Sequence, residues 1–100
     1  MTSKQRSYLK SLAVNLDNIF QIGKSGVTEE LCNQLLNALN ARELIKIKAL
    51  ENCPVSVREA GEEIAARVGC EVVQVIGTKV VLFRVSDNDK NRKIELKKIK

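Results

Sequence analysis

Residues 44 to 50 read LIKIKAL, and no other run restricts the fold as much. Ile45, Ile47 and Ala49 alternate with Lys46 and Lys48. That two-residue period predicts a strand with one apolar face and one cationic face. The sequence on both sides has a different period. Upstream, Leu31, Leu35, Leu36 and Leu39 recur at helical spacing, with Ala38 beside them; downstream, Ala60, Ile64 and Val68 do the same. A strand enclosed by two amphipathic helices must find its sheet partners beyond those helices. Strand–helix–strand units with right-handed crossovers follow.

The other elements fit this frame. Residues 3–14, SKQRSYLKSLAV, place Tyr8, Leu9, Leu12 and Ala13 at helical spacing, with Lys4, Arg6 and Lys10 forming a partly basic exposed face. NLDN breaks that helix, and IFQI forms a short strand. Thr28 is placed to cap the next helix, with Glu29 and Glu30 in its first turn, where the helix dipole favours them. Ser56 and Glu59 have the spacing of a capping box, and Gly69 stops the helix that follows. CEVVQVI and KVVLFRV, joined by Gly77 and Thr78, read as a hairpin. SDNDKNRK is a polar loop, and IELKKIK a basic tail whose start reads as an edge strand. The expected fold class is α/β: a small mixed four-stranded sheet with three helices, in the order α-β-α-β-α-β-β. One domain is expected over residues 1–96, with a basic tail at 97–100. Helices confined to one side of such a sheet would leave the lysine face open.

Composition excludes more than it suggests. The chain has 100 residues, 44% of them hydrophobic and only 3% aromatic, so a single aliphatic core is expected. Histidine is absent, and the carboxylates fall mostly in helix caps or on helix faces. Ser25 has no base near it in sequence, and a cysteine nucleophile would lack an imidazole partner. No enzymatic role and no cofactor is expected. Cys32, Cys53 and Cys70 are odd in number and widely spaced, which suits reduced thiols in a cytoplasmic protein better than a zinc or disulfide framework. No apolar run is long enough to span a bilayer, and the first residues lack the apolar core of a secretory signal. A net charge of +5 directs attention to nucleic acid or an anionic surface.

Gly23, Lys24, Ser25 and Gly26 lie between the first strand and the second helix. They match neither the phosphate-binding P-loop nor the three-glycine dinucleotide fingerprint. They do have what a backbone clamp needs: glycines that allow close approach, a mobile cation, a hydroxyl and exposed N–H groups. A plain strand-to-helix turn with an incidental lysine is the other reading. Lys46 and Lys48 are likewise either a solvated strand face or an extension of that clamp. Lys90, Arg92, Lys93, Lys97, Lys98 and Lys100 form either a basic arm or a solubilising tail.

LKSLA, IGKSGVTEEL, ELIKIKAL, AGEEIAARVGCEVVQVIGTKVVLFR and KIEL occur in this order across residues 3 to 96. Together they resemble the YhbY-like family, also called the CRM domain. The resemblance implies a fold similar to the C-terminal domain of translation initiation factor three. It implies binding to structured RNA, with bacterial single-domain members associating with ribosomal RNA in precursors of the large subunit. It also implies that Gly23, Lys24, Ser25 and Gly26 are the family's RNA-contacting loop, and it places Phe83 where relatives often carry tyrosine. The expectation is a bacterial, cytoplasmic RNA-binding protein of ribosome assembly. Its expected RNA-binding residues are Gly23, Lys24, Ser25, Gly26, Lys46, Lys48, Lys4, Arg6 and Lys10. The alternative is a module that docks a protein partner through the open sheet face or the first helix. The target RNA element and the oligomeric state stay open.

Overall fold

A computed structural model describes residues 2–86. Its elements run α1 (Ser3–Ala13), β1 (Asn18–Ile22), α2 (Glu29–Arg42), β2 (Leu44–Ala49), α3 (Val57–Val68), β3 (Glu71–Ile76) and β4 (Lys79–Phe83). Local chemistry sets most of the boundaries. The Thr28 hydroxyl accepts the Leu31 N–H at 3.1 Å, and the Ser56 hydroxyl accepts the Glu59 N–H at 3.1 Å. Helix α1 carries a complete capping box that the sequence reading missed. Thr2 Oγ1 accepts the Gln5 N–H at 3.1 Å, and Gln5 Oε1 accepts the Thr2 N–H at 2.9 Å. Gly69 ends α3 in the left-handed conformation at φ 76°.

The sheet order is β1-β2-β4-β3, with β1 and β2 parallel and the other two pairs antiparallel. The mixed four-stranded sheet with three helices is therefore as expected. Both crossovers, β1-α2-β2 and β2-α3-β3, advance in the same direction across the sheet. Right-handed connections then put α2 and α3 on one face. The main core forms there, from Leu35 and Leu39 of α2, Ala60 and Ile64 of α3, and Ile22, Ile45, Ile47, Val80 and Leu82 of the strands.

The other face is not fully open. Leu9 and Ala13 of α1 pack on Leu44, Val73, Val81 and Phe83 to make a second core. A bulge between Val72 and Gln74 interrupts the β3–β4 register. Arg6 holds this bulge: its Nη1 donates to the Val72 carbonyl at 2.7 Å and to the Val73 carbonyl at 3.0 Å.

Helix α2 ends without a glycine. Glu43 stands at φ 65° and ψ −38°, a sparsely populated positive-φ region that costs a side-chain-bearing residue about 1–3 kcal/mol. Its surroundings offset this. Glu43 is wholly buried, its Oε2 accepts the Ser86 N–H at 2.8 Å, and its carbonyl accepts the Arg84 N–H at 2.9 Å. Arg84 Nη1 also donates to Asn40 Oδ1 at 2.9 Å. The segment after β4 is thereby fastened to the end of α2. The expected basic arm, edge strand and domain end at residue 96 lie outside the described residues.

Candidate functional site

The GKSG segment is a tight turn. The Gly23 carbonyl accepts the Gly26 N–H at 3.0 Å, which leaves Lys24 and Ser25 exposed at the corners. Among the described residues, the N–H groups of Lys24 and Ser25 have no acceptor. The two glycines serve different ends. Gly26 is buried at φ 67°, and a Cβ there would lie 3.2 Å from Cγ of Pro54, so this position requires glycine for internal reasons. Gly23 has no left-handed φ, and among the described residues nothing lies within 4 Å of where its Cβ would stand. Among the described residues no contact accounts for glycine at 23; its effect is to leave that side of the turn bare of a side chain.

The lysine face of β2 adjoins this turn. Lys48 pairs with Gln21 of β1 and with Lys79 of β4, and Lys46 pairs with Asn18 and Val81. Lys46 and Lys48 are half-buried, on the side opposite Ile45 and Ile47. This is the face that α1 shares, and it divides into two parts. Leu44, Val81 and Phe83 are buried at the α1 end, whereas Gln21, Lys79 and Ile76 are exposed at the turn end. Gln21 lies two residues before Gly23, so the turn and the exposed row are continuous through the chain. Among the described residues, Lys24, Lys46, Lys48 and Lys79 have no carboxylate partner.

The α1 cations are placed differently. Lys4 is exposed and Lys10 half-buried, while the Arg6 guanidinium is committed to the β3 bulge. The structure brings Gly23, Lys24, Ser25, Gly26 and Lys48 to one end of the sheet, with Lys46 next along the strand. Lys79 belongs to the same end and was missed. Its signal was incomplete, because the Gly77–Thr78 hairpin fixes its strand but not the neighbour across from it.

Other features lie elsewhere. A cavity of about 520 Å³, lined by Leu12, Leu16, Ile19, Arg42 and Lys46 among others, opens at the far end of β1 from the turn. The three cysteines are free. Burial, with help from the nearby Glu71 charge, pushes the Cys70 thiol up to about 11. Among the described residues no cluster of three potential metal ligands occurs, and no helix is long and apolar enough to cross a membrane.

Comparison with known proteins places this geometry in context. A model of the CRS1 / YhbY (CRM) domain matches residues 1–84. The chain is 38% identical over 96 residues to "Probable RNA-binding protein YqeI" of Bacillus subtilis (strain 168), covering 96% of this chain and 98% of that protein. It is 33% identical over 90 residues to an "RNA-binding protein" of Haemophilus influenzae, covering 90% and 91% of the two. The solution structure of the hypothetical protein SAV1595 from Staphylococcus aureus is similar with a TM-score of 0.76 and 41% identity, over 95% of this chain and 99% of that one.

Proposed function

The chain belongs to the CRS1 / YhbY (CRM) domain family, and from that membership we propose that it is an RNA-binding protein that holds the phosphate backbone at the GKSG turn. The observation that carries the reading is Gly23. Among the described residues nothing calls for glycine there, yet a bare Cα beside an exposed lysine and hydroxyl is what close approach of a nucleotide backbone needs. The N–H groups of Lys24 and Ser25 are available to phosphate oxygens, and Lys24 adds a mobile charge. Lys48 and Lys46 extend the cationic surface from the turn along β2. Lys4 and Lys10 contribute charge from α1, and Arg6 acts through the scaffold it braces.

The composition suits folded RNA. With 3% aromatic residues, the surface has little with which to stack unpaired bases, so phosphate and shape contacts dominate. Ribosomal RNA in precursors of the large subunit is the proposed target and the cytoplasm the proposed compartment. The role is binding, without catalysis and without a cofactor. Crosslinking in cells followed by sequencing of the attached RNA tests the target; reads spread over messenger RNA with none enriched in ribosomal precursors would reject it. In vitro, Lys24→Glu should weaken RNA binding on the order of ten- to a hundredfold, the worth of one or two charge-assisted contacts, with the thermal midpoint unchanged. Protein docking is the rival, and the exposed Tyr8 and Leu12 of α1, with Val14 just past its end, are the side chains that would serve it. Salt separates the two: phosphate contacts weaken steeply as salt rises, apolar docking much less.

A further inference from the structure

Lys48 and Lys79 lie directly opposite each other across the antiparallel β2–β4 pair. The flanking hydrogen bonds define the kind of pairing. The Ala49 N–H donates to the Thr78 carbonyl at 2.7 Å, so residues 49 and 78 form a hydrogen-bonded pair. The next pair along, 48 with 79, is then of the non-hydrogen-bonded kind, in which opposed side chains stand closest. Cβ atoms in such pairs are about 4.5–5.5 Å apart, and like charges placed there destabilise a sheet. A solvated surface row would gain from a glutamate at either position. Instead the row reads Gln21, Lys48, Lys79, Ile76 across β1, β2, β4 and β3, with no acid in it. Neither lysine forms an ion pair among the described residues.

We propose that Lys48 and Lys79 form a two-lysine seat for a single phosphodiester of bound RNA, one non-bridging oxygen facing each ammonium. The inference rests on the RNA-binding reading and adds a residue and a geometry to it. The ligand resolves an arrangement that is unfavourable in the free protein, because an anion between the two charges turns a repulsive pair into an attractive triplet. The seat lies on the exposed half of the sheet face, beside the strand that leads into Gly23. A backbone held at the turn can therefore run onto it.

The test is a double-mutant cycle. Affinity for a labelled synthetic stem–loop RNA at low salt is measured for the wild type, Lys48→Gln, Lys79→Gln and the double variant. Each single change should weaken binding by roughly tenfold, and the double change by little more than either alone, because the two share one phosphate. Losses that multiply to about a hundredfold would mean two separate contacts and would overturn the shared seat. A second readout needs no RNA. At low salt, Lys79→Gln should raise the thermal midpoint of the free protein, and about 1 M salt, where the screening length is near 3 Å, should erase the gain. A midpoint that falls at low salt would also overturn the proposal. If Lys24→Glu weakens RNA binding while both glutamine variants bind as wild type does, the seat is wrong and the RNA reading stands. If the wild type itself binds no RNA, the parent reading fails.

Discussion

Alanine at each of the two turn glycines separates architecture from binding. At Gly26 the backbone stands at φ 67° and the new Cβ would meet Pro54 Cγ at 3.2 Å. Forcing a side-chain-bearing residue into the left-handed region costs roughly 1–2 kcal/mol. The contact adds to this unless the proline ring gives way, and Pro54 sits in the connection that starts α3. At about 4–8 °C per kcal/mol for a domain of this size, Gly26→Ala should lower the thermal midpoint by roughly 4–15 °C. Gly23→Ala meets nothing within 4 Å among the described residues and needs no left-handed φ. Restricting the unfolded chain should leave its stability unchanged or raise it by up to about 1 kcal/mol. RNA affinity should nevertheless fall by about tenfold or more, because a methyl now stands where the nucleotide backbone approaches; tenfold is about 1.4 kcal/mol. The assays are thermal unfolding followed by circular dichroism and RNA titration by fluorescence anisotropy. If Gly23→Ala binds RNA as the wild type does, the turn is not where the backbone is held. If it unfolds as early as Gly26→Ala, the division of labour between the glycines is wrong.

Further outcomes are expected away from the turn. Ser56→Ala should lose about 1 kcal/mol in urea unfolding through the missing α3 cap, with RNA affinity unaltered; lost affinity at full stability would move Ser56 into the site. Arg6→Ala strips two charged hydrogen bonds from the bulge carbonyls, and denaturant titration should register about 2 kcal/mol. An Arg6→Ala protein of wild-type stability but weaker RNA binding would instead make Arg6 a ligand contact. For Cys70, burial holds the thiol neutral, so its alkylation rate should climb through about pH 11 rather than through the ordinary value of 9.0. In the unfolded chain that thiol ionises first, so this group's effect on stability is absent below about pH 9 and turns destabilising between there and about 11.

Elements whose cause is local could be read from the sequence. Thr28, Ser56 and Gly69 mark helix ends because a cap needs only its own turn, and LIKIKAL announces a strand because alternation is local too. Three things were hidden. Glu43 takes a left-handed φ without being glycine, held by Arg84 and Ser86 from the far end of the chain. In the sequence Arg6 reads as part of the basic exposed face of α1 and as a candidate RNA contact, although it lies three residues before Leu9 and its guanidinium bonds the β3 carbonyls. Charge type misled there, because a guanidinium that braces carbonyls is as buried as its task requires. Lys79 could not be set opposite Lys48 until the strand order placed β4 beside β2. In each case the deciding partner is remote in sequence. For the site, GKSG was legible as a motif, whereas the different roles of its two glycines depend on Pro54.

The topology explains why the candidate site lies where it does. β1 and β2 are parallel, and β3, antiparallel to β4, runs the same way. The connections after all three strands therefore emerge at one end of the sheet: the GKSG turn, the segment holding Pro54, and the Gly77–Thr78 hairpin. That end carries Lys24, Lys48 and Lys79. The Pro54 approach to Gly26 and the Ala49–Thr78 hydrogen bond tie neighbouring connections together. The opposite end holds the buried Glu43 and its bonds to Arg84 and Ser86, which fasten the last described residues to α2. Scaffold and binding chemistry thus occupy opposite ends of the same strands. Substitutions at the Glu43 end should then lower stability and leave the RNA salt slope alone, whereas lysine substitutions at the turn end should flatten the slope without any loss of folding stability. Coupling between the two ends would have to pass along β2 and β4, whose interior positions Ile45, Ile47, Val80 and Leu82 are locked in the main core.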